Sequence, residues 1–189
     1  MKDIRQEIEA YIPCNEQEAQ DKMTMLAWMD RGGDLYTREN RTAHFTASAW
    51  VADLNHAHVL LAYHNIYQSW SWLGGHADGD HDLLHVAMKE VSEESGLTEV
   101  RPLSEKIASI EILTVDGHQK HGAYVSSHLH MNVTYLMEAD SSQPIRCKED
   151  ENSSVAWFGL EEAVEKSSEP WFREHIYPKL NQRLKEFTK

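Results

Sequence analysis

The sequence predicts an α/β (α+β) fold in which a mixed β-sheet is flanked by helices. Apolar tracts typical of strands lie on both sides of a central amphipathic helix, and helical periodicity also occurs near both ends of the sequence. A length of 189 residues is sufficient for one domain with a sizeable core. We expect a main domain over residues 42–189, including the C-terminal helices, and an appended helical segment over residues 1–41 that packs on it.

The N-terminal segment has two helical stretches. Ile4, Ile8 and Tyr11 recur at helical spacing, Pro13 interrupts the first stretch, and residues 16–28 form the second. This segment is either a packing element or a dimerisation arm, and the sequence leaves both open.

The rest of the sequence predicts five principal strands and two further helical regions. Alternating or continuous apolar residues define the strands, and turn residues separate them. The strands are expected at residues 43–53, 58–65, 107–115, 128–136 and 154–158, and the helices begin at residues 160 and 169. Residues 101–103 are expected to be a connector and residues 116–122 a polar loop.

Composition excludes several classes of function. A formal net charge of −13 argues against binding to duplex nucleic acid, which requires cationic side chains to neutralise phosphates. No apolar run reaches the roughly 20 residues of a membrane-spanning helix, and the N-terminus lacks the apolar core of a signal peptide. Cys14 and Cys147 are expected to be free thiols in a reducing cytoplasm.

The most informative stretch is GGHADGDHDLLHVAMKEVSEESGL, from Gly74 to Leu97. In a helix of roughly 100° per residue, Glu90 and Glu94 lie one turn apart with Glu93 beside them, next to an apolar face. Clustered carboxylates at the border of a buried face repel one another unless a positive charge lies among them. A hard divalent cation such as Mg²⁺ suits these oxygen ligands.

This stretch resembles the Nudix box, G-x5-E-x7-R-E-U-x-E-E-x-G-U, where U is an aliphatic residue. The matching residues are Gly75, Glu90, Val91, Glu93, Glu94, Gly96 and Leu97. Two positions depart from the pattern: His81 replaces the first Glu, and Lys89 replaces the Arg. The alternative is a solvated acidic helix face, which explains neither the paired glycines nor the terminal Gly.

The resemblance implies an α/β/α sandwich and hydrolysis of a pyrophosphate bond in a nucleoside diphosphate-linked small molecule, with Mg²⁺ as cofactor and Mn²⁺ as a possible substitute. Glu90, Glu93 and Glu94 match the metal-binding and catalytic carboxylates, and Glu93 is also a candidate for orienting the attacking water. The expected partner is a small phosphorylated, nucleotide-type substrate, and a homodimer is possible.

The two departures have different expected consequences. Lys89 keeps the charge of the family's arginine but loses its bidentate geometry, so its pairing with a box carboxylate should be looser. His81 supplies a neutral imidazole where the box has a carboxylate. We therefore expect weaker Mg²⁺ binding than a full box would give, with a relative preference for Mn²⁺.

Several residues outside the helix are candidates for substrate binding or catalysis. Gly74 and Gly75 allow the backbone to approach metal and phosphate closely, and Trp72 is either a packing residue or a wall for the substrate. A subgroup of Nudix sequences has GGH followed by a downstream HxH strand, as in His76, His128 and His130. These histidines are expected to line the pocket or to be structural. Zinc binding is not expected from them, because no Cys or third ligand has the usual spacing.

Two acidic residues precede the last strand, and either could act as general base or extra ligand. Of Glu149 and Glu151, we favour Glu151; the alternative is an acidic surface turn.

The resemblance leaves two other functions open. One is a ligand-binding or regulatory protein that has kept the fold and lost turnover, and the other is an isomerase of isopentenyl diphosphate type. Nucleoside triphosphates, dinucleoside polyphosphates, sugar nucleotides, nucleotide cofactors and capped RNA all remain possible substrates, since the fold does not determine specificity.

Overall fold

A mixed β-sheet forms the centre of the protein. The structure is a computed structural model that describes residues 3–120, 122–148 and 152–187. Within those residues the sheet has eight strands: β1 (Ala43–Asp53), β2 (His58–His64), β3 (Ser69–Ser71), β4 (Leu73–His76), β5 (Val100–Pro102), β6 (Ser109–Val115), β9 (His128–Ala139) and β10 (Asn152–Gly159). A separate hairpin contains β7 (His118–Lys120) and β8 (Ala123–Val125). The strands of the sheet follow the order β10-β2-β1-β9-β5; in addition, β3 pairs with β2, β4 with β1 and β6 with β9.

The parallel pairing of β1 with β9 organises this sheet. The two strands are in register from Ala43 opposite Leu129 to Asp53 opposite Ala139, whereas β2, β4 and β6 pair antiparallel with their neighbours. All of β1 is buried, as expected for a central strand that is covered on both faces.

Helices cover both faces of the sheet. They are α1 (Ile4–Ala10), α2 (Glu16–Asp30), α3 (Leu83–Ser95), α4 (Leu160–Lys166) and α5 (Tyr177–Phe187), the last preceded by a π-helical segment (Phe172–Ile176). Alternate residues of β1 contribute to two apolar cores: Phe45 and Val51 pack with α1, α2 and α3, while Trp50 packs with α4 and α5. The predicted α/β/α sandwich with a mixed sheet is therefore confirmed.

Side chains at the helix ends explain where the helices begin. Asp82 accepts a hydrogen bond from the amide of His85 at the start of α3, and Asn15 does the same for Glu18 at the start of α2. Gly96 ends α3 in the left-handed conformation, with φ of 72°. None of the helices in the described part of the chain is long and apolar enough to cross a membrane.

Two predicted connections differ in the structure. Residues 100–102 form the short strand β5 on the edge of the sheet, because the chain after α3 returns alongside β9. His118–Lys120 and Ala123–Val125 pair as the β7–β8 hairpin, where a polar loop was expected, and Gly122 has a φ of 80°. Short polar strands of this kind lack the apolar alternation that identifies longer ones.

A buried ion cluster links the N-terminal and C-terminal helices. Lys179 on α5 places its Nζ 3.0 Å from Glu18 Oε1 on α2 and 3.0 Å from Glu111 Oε1 on β6. All three residues are buried. Burial opposes the charged forms, but the mutual attraction outweighs it, so the pKa of Glu18 is lowered and that of Lys179 is raised. The boundary between an extension and a main domain at residue 41 stays a prediction.

Candidate active site

A pocket of about 320 Å³ lies between α3, β4 and the C-terminal part of the sheet. We call it the carboxylate pocket, because Glu90, Glu93 and Glu94 of α3 all line it. Its other lining residues include the cationic side chains of Arg38, Lys89 and Lys148, together with aromatic and small polar side chains. The fold therefore brings together most of the residues that the sequence nominated.

Two of the three carboxylates are largely shielded from solvent. Glu90 is 9% exposed and Glu94 5%, because they lie on the side of α3 that packs against β4. Gly75 makes room for Glu90: a Cβ at position 75 would lie 2.5 Å from Glu90 Cδ and 2.7 Å from its Oε1. The second glycine of the pair thus allows a carboxylate to contact the strand backbone directly.

Glu94 is held at both of its oxygens. The amide of Gly74 donates to Oε2 at 2.8 Å, and the Asn152 side chain donates to Oε1 at 2.9 Å. Asn152 was missed by the sequence analysis, which favoured its neighbour Glu151. Glu149 and Glu151 lie outside the described residues.

Glu93 is more exposed and has two lysine neighbours. Lys89 Nζ lies 3.6 Å from Glu93 Oε1 and 3.7 Å from Glu90 Oε1, and Lys148 Nζ lies 3.7 Å from Glu93 Oε2. Lys89 therefore pairs with two box carboxylates at long range, as expected when a lysine replaces an arginine.

His81 lies outside the lining of this pocket. Its ring stacks on Tyr36 at a centroid distance of 3.8 Å, and it borders a separate cavity with Leu83, Leu84 and Tyr135. The residue that replaces the first glutamate of the box thus makes an aromatic packing contact in this protein.

The floor of the carboxylate pocket is a hydrogen-bonded polar layer on the sheet. Thr46 and Ser48 of β1 both donate to Asn132 Oδ1 at 2.9 Å, and Asn132 Nδ2 donates to Glu111 Oε2 at 3.1 Å. Glu111 belongs to the buried ion cluster, so the floor is connected to α2 and α5 through one continuous network.

Aromatic side chains and a half-buried carboxyl form another part of the wall. Trp72 meets Phe172 edge to face at 5.4 Å, and its amide donates to the Tyr177 hydroxyl at 3.1 Å. Glu169 also lines the pocket and accepts from Ser71 Oγ at 3.3 Å. Burial raises the pKa of Glu169. Phe172 and Glu169 carried no signal in the sequence, since both lie in a segment that read only as helix.

One rim of the pocket carries four histidines, which we call the histidine cluster: His44, His76, His128 and His130. One ring nitrogen from each lies within 4.8 Å of those of the other three. Two of them, His76 and His130, also line the carboxylate pocket. Three of these residues were candidates from the sequence, and His44 was not among them.

The donor set around α3 fits a hard divalent cation. Three carboxylates converge on one pocket, two of them buried, and Asn152 Oδ1 is buried without a hydrogen-bond partner among the described residues. Clustered oxygen donors of this kind match the ligand preference of Mg²⁺ and Mn²⁺. Glu90, Glu93 and Glu94 are the residues that would hold such an ion.

Comparisons with known proteins agree with this architecture. The model of the NUDIX domain family matches residues 42–180. No curated protein sequence gives a significant match. Similar solved structures include an Ap4A hydrolase from C. elegans, in a binary complex, with 17% identity, a TM-score of 0.53 and coverage of 75% of this chain and 98% of that one.

Two other similar structures differ in what their names describe. One is the dihydroneopterin triphosphate pyrophosphohydrolase of E. coli, at 11% identity and a TM-score of 0.54, covering 73% of this chain and 94% of that one. The other is the NUDIX domain of Shewanella oneidensis NrtR complexed with ADP ribose, at 13% identity and a TM-score of 0.51, covering 97% and 99%. At these identities the structures establish a shared fold, and the family match extends over most of the chain. This protein belongs to the Nudix family.

Proposed function

We propose that this protein hydrolyses a pyrophosphate bond in a nucleoside diphosphate-linked small molecule, with Mg²⁺ as cofactor. The observation that supports this most strongly is the convergence of Glu90, Glu93 and Glu94 on one pocket that also contains cationic side chains. Bound Mg²⁺ would neutralise charge on the phosphate oxygens, and Mn²⁺ would be a substitute.

The residues around the carboxylates would position the reacting groups. The bonds from Gly74 and Asn152 fix the Glu94 carboxylate, which limits the reorganisation needed when a cation binds. Glu93 is the more exposed carboxylate and can accept a hydrogen bond from an attacking water. Lys89 and Lys148 lie close enough to Glu93 to supply positive charge next to a bound phosphate.

The other end of the substrate would contact the aromatic wall. Trp72 and Phe172 offer apolar surface for a base or another flat group, and Glu169 can hydrogen-bond to its polar edge. Burial raises the pKa of Glu169, which also accepts a hydrogen bond from Ser71 Oγ. A nucleotide-type substrate is consistent with the names of two similar structures, an Ap4A hydrolase and a NUDIX domain complexed with ADP ribose.

The first experiment is a substrate panel with product detection. Phosphate release would be measured in Mg²⁺ and in Mn²⁺ with two coupling enzymes. Alkaline phosphatase detects the phosphomonoester products of nucleoside diphosphate derivatives, and pyrophosphatase detects the pyrophosphate released from nucleoside triphosphates. We expect turnover of at least one compound, and a loss of at least about 100-fold in the Glu93→Gln and Glu94→Gln variants. Thermal melting of each variant would show that it remains folded.

A matched control separates the pocket from general charge effects. Glu165 is an exposed glutamate on α4, and Glu165→Gln should retain wild-type turnover. Silence of the whole panel in both metals, combined with ligand-induced thermal stabilisation, would refute hydrolysis and favour the ligand-binding alternative. Homodimer formation and a cytoplasmic location remain predictions from the sequence.

A further inference from the structure

The histidine cluster arises from the pairing of three adjacent strands. His44 on β1 lies opposite His130 on β9, and Thr46 on β1 lies opposite His76 on β4. Side chains two residues apart in a strand face the same side, so His128 and His130 share one face of β9. The pairing of the three strands thus brings four imidazoles together at one end of the sheet.

The spacing of the ring nitrogens is close to that of ligands on one ion. His128 Nε2 and His130 Nε2 are 3.1 Å apart, and all four donor atoms lie within 4.8 Å of one another. Two nitrogens bound to a tetrahedral Zn²⁺ at about 2.0–2.1 Å would be about 3.3–3.4 Å apart. The donor atoms are therefore at most about 1.5 Å farther apart than tetrahedral coordination requires.

Two of the rings are held in the tautomer that a metal ligand requires. His44 Nδ1 donates to the Asn40 carbonyl at 2.9 Å, and His128 Nδ1 donates to the Ser126 carbonyl at 2.8 Å. Because a carbonyl only accepts, the proton is on Nδ1 in both, and each Nε2 presents a lone pair. His44 Nε2 is buried, and no described residue forms a hydrogen bond with it. A buried, unpartnered acceptor facing other imidazoles is costly unless a ligand binds it.

We propose that His44, His76, His128 and His130 form a second metal site, which binds one divalent transition-metal ion of the Zn²⁺ type. Four neutral imidazoles suit Zn²⁺ and its neighbours, whereas Mg²⁺ prefers oxygen ligands. The histidine cluster and the α3 carboxylates would therefore select different metals. An ion held here would connect β4, β1 and β9 and would add positive charge at the rim of the carboxylate pocket.

Burial is the main cause that lowers the pKa of His130 and of His44. A lowered pKa favours the neutral imidazole, which is the form that binds a metal.

The test measures metal content directly in the full-length, untagged chain. The protein is stripped with a chelator, incubated with Zn²⁺ in the presence of a large excess of Mg²⁺ to occupy the carboxylates, desalted, and analysed by mass spectrometry for metals. We expect one Zn²⁺ per chain. Co²⁺ in place of Zn²⁺ should give the strong visible absorption of tetrahedral coordination, which oxygen-ligated octahedral Co²⁺ lacks.

Variants identify the ligands. His128→Asn and His130→Asn should each weaken Zn²⁺ binding at least about tenfold and abolish the Co²⁺ spectrum. His128 is only half-buried at the start of β9, so His128→Asn should fold. It can therefore test the proposal even if His130→Asn does not fold. His175→Asn, an exposed histidine on the π-helical segment, should bind like wild type.

Three results would overturn the proposal. The first is absence of stoichiometric Zn²⁺ in the wild-type protein, and the second is retention of Zn²⁺ and of the Co²⁺ spectrum by both strand variants. Glu94→Gln distinguishes this site from the proposed catalytic one: it should lose hydrolysis and keep the Zn²⁺. Loss of Zn²⁺ in Glu94→Gln would place the ion at the carboxylates and would also refute the assignment.

Discussion

Replacing Gly75 with alanine should separate activity from stability. A Cβ at this position would lie 2.5 Å from Glu90 Cδ, whereas carbon atoms in ordinary contact are about 3.5 Å apart or more. The Glu90 carboxylate would therefore have to move by about 1 Å. It is the end of a flexible side chain, so we expect the free energy of unfolding to fall by less than about 1 kcal/mol.

The same displacement should severely impair hydrolysis. A misplacement of about 1 Å in a catalytic group can lower the rate by about 100-fold, and a displaced Glu90 would also bind the cation less well. The assay compares kcat/KM for Gly75→Ala and wild type at saturating Mg²⁺, together with the Mg²⁺ concentration for half-maximal activity. The value of kcat/KM should fall, and the Mg²⁺ concentration for half-maximal activity should rise.

Gly74→Ala is the matched comparison. A Cβ there would lie 2.6 Å from the Ala47 carbonyl oxygen and 2.7 Å from Ser48 Cα, which are backbone atoms of β1 that cannot rotate away. We expect a loss of about 1–3 kcal/mol in unfolding free energy, or roughly 2–12 °C in Tm. A fully active Gly75→Ala enzyme would refute the reasoning, as would a Gly75→Ala variant less stable than Gly74→Ala.

Three further predictions concern the buried ion cluster and the altered box position. Lys179→Met removes the cation between two buried glutamates, Glu18 and Glu111. The free energy of unfolding, measured by urea denaturation, should fall by about 3–5 kcal/mol, and a loss below about 1 kcal/mol would contradict this. Because the folded pKa of Glu18 lies below its ordinary value of 4.5, its stabilisation should be complete above about pH 4.5 and decline as the pH falls further. Unfolding measured from pH 7 to 3 should show this decline in wild type and a smaller one in Lys179→Met, and equal slopes would count against it. His81→Glu should change the Mg²⁺ concentration for half-maximal activity by less than about twofold, since His81 stacks on Tyr36 outside the carboxylate pocket. A large gain in Mg²⁺ affinity would instead support the expectation that a glutamate at this position strengthens Mg²⁺ binding.

The central helix was predictable because its determinants are local. Apolar periodicity, the Asp82 cap and the left-handed Gly96 all lie within the 13 residues of α3 or beside them, so the sequence determined the positions of its carboxylates. Long strands with apolar residues, such as β1 at Ala43–Asp53, were equally clear. The domain boundary and the roles of the site residues stay predictions.

Contacts that depend on strand register were not predictable. His44 joins the other histidines only because β1 pairs in parallel with β9. Asn152 reaches Glu94 only because β10 begins beside α3. Neither residue belongs to a motif, and no local pattern encodes pairing between strands more than 80 positions apart. Spacing along the chain therefore does not identify which side chains meet across the sheet.

The buried ion cluster has a consequence for how the protein is made. Glu18 and Glu111 are synthesised well before Lys179, the cation that neutralises them, and the polar floor of the carboxylate pocket is bonded to Glu111. Until α5 has left the ribosome, two buried carboxylates lack their partner and the floor lacks its support. Nascent chains that end before α5 should therefore remain incompletely folded, sensitive to protease and unable to bind substrate.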